Sequence, residues 1–137
     1  MSVVKVRALA TNGKTLLGSG VVVGPDEVLT NCHVTRDARS VAIVKSALNF
    51  NVYSQKADVE HDLCLLRTDP MPLRPVAVRS LTSVKPGERS FYFGFTGGIE
   101  SFFAQGKVTA LHGLDGSSVI ETTSGFSLGA SGGGLFD

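Results

Sequence analysis

Apolar side chains never recur at helical spacing over as many as ten consecutive residues of this sequence. They fall instead into short runs separated by polar and glycine-rich turns, and 16 of the 137 residues are glycine. Short apolar runs with frequent turn residues are typical of β-structure, because strands are shorter than helices. With 42% hydrophobic residues the chain can form a real core. The sequence therefore predicts an all-β protein, with at most a short turn of helix after Asn31.

The first half of the chain is predicted to form six strands. Asn12 and Gly13 separate the first two, and an Asn-Gly pair between apolar runs favours a hairpin because both residues tolerate positive φ. Gly18 and Gly20 interrupt the second strand, and glycine inside a strand often marks a bend or a close backbone approach. The last strand is continuously apolar, as expected of a strand buried on both faces. The six are residues 3–9, 16–23, 28–30, 41–44, 51–57 and 63–66.

A second β unit is predicted after a polar segment that contains a Pro-Gly turn. Its strands are residues 91–95, 102–111 and 119–122. We therefore expect a first β unit over residues 1–80, a linker over residues 81–90 and a second β unit over residues 91–137.

Residues 129–134 place one serine among glycines. A nucleophilic serine needs a tight turn that exposes its Oγ, and backbone N–H groups that face a developing oxyanion. Glycines permit such a turn and the close approach of a substrate. Ser131 is therefore the candidate nucleophile, and the N–H groups of Gly129 and Ser131 are the candidate oxyanion donors. Taken alone, the same pattern fits a flexible Gly-Ser loop equally well.

Two further motifs supply a base and a carboxylate. His33 follows the predicted strand 28–30, and imidazole is the usual general base near neutral pH. Asp62 precedes a buried apolar strand, where a carboxylate needs a partner such as a histidine N–H. Each alone fits an ordinary surface residue. Together with Ser131 they occur in the order His, Asp, Ser, which is the order in chymotrypsin and not in subtilisin or the α/β-hydrolases.

These motifs and their surroundings resemble the catalytic domain of trypsin-like serine proteases of the bacterial HtrA type. The resemblance rests on residues 18–23, 29–34, 60–66, 106–111 and 120–135. It implies a chymotrypsin-like double β-barrel that hydrolyses peptide bonds of a polypeptide substrate through an acyl-enzyme. No metal or cofactor is needed for that chemistry. It also implies that Gly125 lies at the base of the specificity pocket, where the absence of charge argues against a preference for Arg or Lys.

The sequence departs from this family at four places. Gly134 stands where Pro or Ala is frequent, and Val34 stands after His33 where trypsin has a cysteine, so the trypsin-type disulfide at that place is missing. Ala130 stands where Asn or Asp is usual, a change that leaves the backbone donors in place. The sequence also ends six residues after Ser131, before the strands that complete the second barrel in the family. We therefore expect the second barrel to be incomplete at its C-terminus. Either the chain is a fragment, or a second chain or a swapped copy completes the barrel.

Two hypotheses of function follow. The first is a serine endopeptidase with Ser131, His33 and Asp62 as its triad. The second is a non-catalytic, protease-like binding module or an inactive fragment. A processing protease of the viral type with a cysteine nucleophile is excluded by Ser131, unless the motif is misread.

Composition and the remaining motifs exclude other functions. The net charge is +1 and no basic run is present, so we expect no nucleic-acid partner. No apolar stretch approaches the ~20 residues that cross a bilayer, so we expect no membrane insertion. Residues 1–7 do not resemble a signal peptide, whereas the family resemblance implies a periplasmic or secreted bacterial protein.

The cysteines and the other histidines are expected to be structural. Cys32 and Cys64 are expected near each other as buried free thiols, although a disulfide stays open as an alternative. A metal site formed by these cysteines with His33 and His61 lacks the spacing of structural zinc sites, and we expect none. His61 and His112 are expected to face solvent or to lie in loops.

Overall fold

The computed structural model describes residues 2–96, 100–114, 117–123 and 131–137. Within them strand is the predominant regular structure, as predicted. The first six strands are β1 (Val3–Ala10), β2 (Thr15–Gly24), β3 (Glu27–Thr30), β4 (Ala38–Lys45), β5 (Leu48–Asp58) and β6 (Leu63–Thr68). One short helix, α1 (Cys32–Thr35), follows β3, which confirms the helical turn expected after Asn31.

The first six strands close into an antiparallel barrel in the order β1-β2-β3-β6-β5-β4. Strand β1 closes it, because it pairs with β2 on one side and with β4 on the other. The turn between β1 and β2 is the predicted hairpin: Gly13 has φ 85°, and the Ala10 N–H donates to the Lys14 carbonyl over 2.8 Å. Closure leaves no unpaired edge in this part of the fold.

The barrel interior is filled by small branched side chains. Val4, Val6, Val22, Val28 and Ile43 are all fully buried there. Burying one such side chain contributes about 1.5–3 kcal/mol relative to leaving it in water, so these residues dominate the stability of the barrel.

Strand β6 alternates between buried and exposed residues, so the prediction of a strand buried on both faces is wrong. Cys64 and Leu66 are buried, whereas Leu63 is 45% exposed. The physical reason is that a barrel wall presents only every second residue to the interior.

The remaining strands of the described residues form a second sheet of four strands. They are β7 (Arg89–Thr96), β8 (Glu100–Leu114), β9 (Ser117–Thr122) and β10 (Gly134–Phe136), in the order β10-β7-β8-β9. Strand β10 was not predicted from the sequence. It pairs Phe136 with Phe91 and Gly134 with Phe93, and this register brings the residues after Ser131 onto the second sheet.

A barrel followed by a partial second sheet confirms the all-β fold class. The segment between them contains a short 3₁₀ turn, Leu81–Ser83. Arg79 in this segment forms ion pairs with Glu88 at 3.0 Å and with Asp137 at 3.1 Å. The linker boundaries at residues 81–90 stay a prediction. Among the described residues, no helix is long and apolar enough to cross a membrane.

Candidate active site

His33 is the second residue of α1 and lies three residues after the end of β3. Asn31 separates the two elements in an extended conformation, and its side-chain amide donates to the Asp62 carbonyl over 2.8 Å. Strand β3 is paired on both sides, with β2 and with β6. The start of α1 is therefore anchored to the barrel wall. Val34 and Thr35 are buried against the core, while the His33 side chain points outward and is 48% exposed.

His33 and Asp62 contact each other twice. The His33 backbone N–H donates to Asp62 Oδ1 over 2.8 Å, and His33 Nδ1 lies 2.6 Å from Asp62 Oδ2. Both oxygens of one carboxylate are therefore used by one residue. With an ionised Asp62, this contact favours the tautomer that carries its proton on Nδ1, and Nε2 is then the nitrogen able to accept a proton.

Asp62 has a backbone conformation that is rare for a residue other than glycine, with φ 53°. Such a conformation costs about 1–2 kcal/mol for an L-residue with a Cβ. The surrounding hydrogen bonds offset that cost. The Asp62 N–H donates to the Val59 carbonyl over 3.2 Å, and the Asp62 carbonyl accepts from the Cys32 N–H over 3.3 Å. The turn before β6 thus turns the carboxylate towards α1.

The same contacts change the acidity of Asp62. Partial burial alone would raise the pKa of this carboxyl group, because it disfavours the charged form. The hydrogen bonds from the His33 side chain and backbone, with the charge of a protonated ring, act in the other direction. Their combined effect holds the pKa of Asp62 below its ordinary value of 3.8. Asp62 is therefore ionised at neutral pH.

A disulfide joins Cys32 and Cys64, so the expectation of two free thiols is wrong. The two Cα atoms lie 5.0 Å apart. They come this close because Cys64 pairs with Thr30, the last residue of β3, and Cys32 follows two residues later. The bonded sulfurs cannot act as thiolate ligands. Among the described residues, no group of three or more potential metal ligands occurs.

Ser131 is held through its backbone by β2. The Ser19 N–H donates to the Ser131 carbonyl over 2.7 Å. A Cβ placed on Gly18 would lie 3.0 Å from both methyl carbons of Val34 and 3.1 Å from the Ser131 carbonyl oxygen. The Ser131 backbone and the helix that carries His33 therefore border the same glycine. This is the close approach that the glycines in β2 indicated.

Ser19 and Thr30 support this segment, and the sequence analysis missed both. Ser19 is fully buried; its Oγ accepts from the Phe95 N–H over 2.9 Å, and its carbonyl accepts from the Thr30 hydroxyl over 2.8 Å. The position of Ser19 between two glycines was a signal of close packing, but it did not indicate which chain segment would approach. Gly125 and Gly129, the expected pocket and oxyanion residues, lie outside the described residues.

The other two histidines also pair with carboxylates. His61 Nδ1 lies 2.8 Å from Asp58 Oδ2 within the turn after β5, and His112 Nε2 lies 2.9 Å from Glu121 Oε2 between β8 and β9. His112 is exposed and His61 lies in a turn, as expected, and 25% of the His61 side chain is exposed. Neither pair spans two distant segments as His33 and Asp62 do.

An open cavity of about 350 Å³ lies between the barrel and the second sheet. Its walls are mainly apolar, and they include Leu63 and Phe136. Asn31 and Gly132, neighbours of the candidate site, are at its border. Leu63, which faces away from the barrel core, lines this cavity.

Comparisons with known proteins place this arrangement in a family. The serine protease Rv3671c of Mycobacterium tuberculosis is 33% identical over 98 residues, which are 71% of this chain and 24% of that protein. The glutamyl endopeptidase of Staphylococcus epidermidis is 31% identical over 107 residues, covering 63% of this chain and 38% of that protein. The chain thus spans between a quarter and two fifths of the curated relatives that it matches.

Solved structures of proteases have a similar fold. The active form of the Rv3671c protease superposes with a TM-score of 0.86 at 28% identity, over 99% of this chain and 65% of that one. The HtrA-type protease AlgW with a tripeptide superposes with a TM-score of 0.87 at 24% identity, over 99% of this chain and 47% of that one, and this likeness concerns the fold. Residues 18–137 match the trypsin-like peptidase domain, and the chain belongs to that family.

Proposed function

We propose that this chain is the catalytic part of a serine endopeptidase, with Ser131 as nucleophile, His33 as general base and Asp62 as the residue that orients His33. The observation that carries the proposal is the double contact between His33 and Asp62. The His61–Asp58 pair makes the same kind of contact within three residues of chain. His33 and Asp62 are 29 residues apart, and the helix that carries His33 borders the same glycine as the Ser131 backbone. Family membership supports the reaction class.

In the proposed reaction, Ser131 Oγ attacks the carbonyl carbon of a peptide bond while its proton passes to His33 Nε2. The bond to the leaving amine then breaks as His33 returns the proton to that amine, and an acyl-enzyme remains. Water hydrolyses it with the same base. Asp62 stays ionised throughout, because the lowered pKa of its carboxyl group favours the charged form beside an imidazolium.

The oxyanion of each tetrahedral intermediate is proposed to accept hydrogen bonds from the N–H groups of Gly129 and Ser131. The hydrogen bond from Ser19 to the Ser131 carbonyl supports this role, because it fixes the peptide plane on one side of the nucleophile. Removing one oxyanion donor costs about 10²–10³ in rate in other serine proteases.

The proposed substrate is a polypeptide, and the proposed chemistry needs no cofactor. Gly125 is proposed to line the specificity pocket. One relative is a glutamyl endopeptidase, so peptides with Glu before the cleaved bond belong in the first substrate panel, beside peptides with apolar residues there.

The test is covalent labelling with a fluorophosphonate, which needs an activated serine and an oxyanion hole but no complete specificity pocket. Intact mass and peptide mapping should show one adduct, on Ser131. Ser131→Ala and His33→Gln should abolish labelling, and Asp62→Asn should slow it by about 10⁴. His112→Gln and Asp58→Asn are the matched controls, since they alter a histidine and a carboxylate of similar exposure away from the proposed triad.

Labelling that survives His33→Gln, or an adduct on another serine, would reject the proposed triad. A folded chain with no adduct would favour the second hypothesis, a protease-like module that does not turn over. Circular dichroism on each variant separates a lost site from a lost fold.

A further inference from the structure

The Cys32–Cys64 disulfide lies at the two places where the chain delivers the proposed base and its carboxylate. Cys32 immediately precedes His33, and Cys64 follows Asp62 by two residues. We propose that this disulfide is a positioning element of the His33–Asp62 pair, so that alignment of the pair depends on oxidation of the two cysteines. The proposal deepens the proposed function, since alignment matters to catalysis only if His33 is the base.

The ladder between β3 and β6 ends beside the disulfide. The last pair between β3 and β6 is Thr30 with Cys64, and β3 stops there. Residues 31–35 lie beyond the ladder, so the strand pairing does not hold them against the turn that contains Asp62. The disulfide is the covalent connection that crosses at this point.

Three hydrogen bonds between the 31–33 segment and Asp62 lie close to the disulfide. The Cys32 N–H and the Asn31 amide donate to the Asp62 carbonyl, and the His33 N–H donates to the Asp62 carboxylate. All three need the 31–33 segment within a few tenths of an ångström of its observed place, because hydrogen bonds weaken steeply with distance and angle. A covalent bond beside them fixes that separation.

The His33–Asp62 pair is partly exposed to solvent. The side chains of His33 and Asp62 are 48% and 44% exposed, so water competes for both partners and burial does not hold them together. Asp62 also has a strained φ of 53°, and it relaxes if its carbonyl loses its donors. The disulfide itself is buried, with Cys32 3% and Cys64 1% exposed, and so it is a fixed support of this region.

The test uses the 15N-histidine-labelled chain at pH 8, where an ordinary imidazole is neutral. Ring nitrogen shifts distinguish a proton fixed on Nδ1, as the contact with Asp62 requires, from the mixture of a free imidazole. We expect a fixed Nδ1–H for His33 in the oxidised chain. In the reduced chain, and in the Cys32→Ala/Cys64→Ala variant, the shifts should move to those of a free imidazole, and reoxidation of the reduced chain should restore them.

His61 is the matched control in the same spectrum. It contacts Asp58 through the same atoms, its N–H to Oδ1 and its Nδ1 to Oδ2. The two residues are only three apart, at the end of β5 and in the turn that follows, so the disulfide does not join the segments that carry them. The His61 shifts should stay unchanged on reduction. Peak assignment uses His33→Gln and His61→Gln.

The second readout is the rate of fluorophosphonate labelling of Ser131, which should fall at least about tenfold on reduction. If the oxidised chain is not labelled, the proposed function fails, but the ring shifts still decide the positioning role. Unchanged His33 shifts in a folded, reduced chain would overturn the inference. Unfolding of both the reduced chain and the double variant would also overturn it, because the disulfide would then support the whole barrel and not this pair.

Discussion

Ser19 donates its backbone N–H to the carbonyl of Ser131 over 2.7 Å, across 112 residues of chain. The same residue reaches the second sheet, since its Oγ accepts from the Phe95 N–H. One buried serine of the barrel thus fixes both the backbone of the proposed nucleophile and the first strand of the second sheet. Substitutions that separate Ser19 from Ser131 should therefore affect activity and the packing of the second sheet together.

Gly132 offers the most direct way to separate them. It has φ 86°, and a Cβ placed on it would overlap the Ser19 carbonyl oxygen and the Thr30 hydroxyl. Because the first obstacle is backbone, a rotamer change cannot relieve the overlap. We expect Gly132→Ala to abolish fluorophosphonate labelling, and to destabilise the chain in urea titrations at 25 °C.

Gly13→Ala is the matched control for this substitution. Gly13 has φ 85°, and a Cβ there would meet no atom within 4 Å. Gly13→Ala should lower the free energy of unfolding only by the cost of a positive φ, about 1–2 kcal/mol, and should leave labelling unchanged. Gly132→Ala should lower the free energy of unfolding by about 1–3 kcal/mol more than Gly13→Ala does. Equal costs for the two variants would mean that the Ser19–Gly132 packing is not as described.

Thr30 is expected to support the site through its hydroxyl and not through its bulk. The side chain is 2% exposed, and Oγ1 donates to the Ser19 carbonyl over 2.8 Å. Thr30→Val keeps the shape but removes this donor, and should cost about 1–3 kcal/mol of the free energy of unfolding while it slows labelling of Ser131. Thr30→Ser keeps the hydroxyl and should recover most of the labelling rate. If Thr30→Ser labels as slowly as Thr30→Val, the hydrogen bond is not the cause.

Much of the fold was predictable because its strands are separated by strong turn signals. The Asn12-Gly13 hairpin, the helical turn after Asn31 and the nine predicted strands are all present. The tenth strand, β10, is only three residues long, too short for an alternating pattern, and it is defined by its pairing with β7. The run from Leu63 to Leu66 shows that continuous apolar character does not reveal which faces are covered.

Only those features of the candidate site that short sequence motifs encode could be predicted. A contact between His33 and Asp62 could be predicted, because a carboxylate at the start of a buried strand needs a partner and an imidazole N–H is a suitable one. The disulfide could not be predicted, since it depends on the register that pairs Thr30 with Cys64. A shift of two residues would have left the same cysteines apart. The role of Ser19 likewise depends on which segment folds over β2, a long-range contact that no local pattern encodes.

Acid sensitivity provides a test of the His33–Asp62 contact that needs no activity. Since the folded chain holds the pKa of Asp62 below 3.8, the carboxylate stabilises the fold above that pH. This contribution is lost as the pH falls below 3.8 and through the lower folded value. In urea titrations between about pH 5 and pH 2.5, the wild-type chain should lose stability more steeply than Asp62→Asn.

Asp37→Asn is the control for that series. Asp37 forms an ion pair with Arg36 at 3.7 Å, and both side chains are largely exposed, so its contribution should be small. Its pH profile should follow the wild type. A profile of Asp62→Asn that also follows the wild type would show that the two-point contact with His33 is not formed in solution.

Tyr92 gives an independent check on the packing beside Gly133. Burial raises the pKa of Tyr92 to about 12, and its hydroxyl lies beside the position that a Cβ on Gly133 would occupy. Tyr53 is the other tyrosine of the chain; a hydrogen bond to Asp69, with desolvation, raises its pKa too. In Tyr53→Phe, where Tyr92 is the only tyrosine, the phenolate absorbance near 295 nm should therefore appear with a midpoint of about 12.

The same shift predicts how stability depends on alkaline pH. A folded pKa above the unfolded value of 10.0 means that the neutral phenol stabilises the fold fully below pH 10, and that this contribution is lost as the pH rises through about 12. Tyr92→Phe cannot ionise, so its urea midpoint should fall less steeply above pH 10 than that of the wild-type chain. A phenolate midpoint near 10 in folded Tyr53→Phe would show that water reaches the Tyr92 hydroxyl, and that β7 and the residues after Ser131 pack less closely than the structure has them.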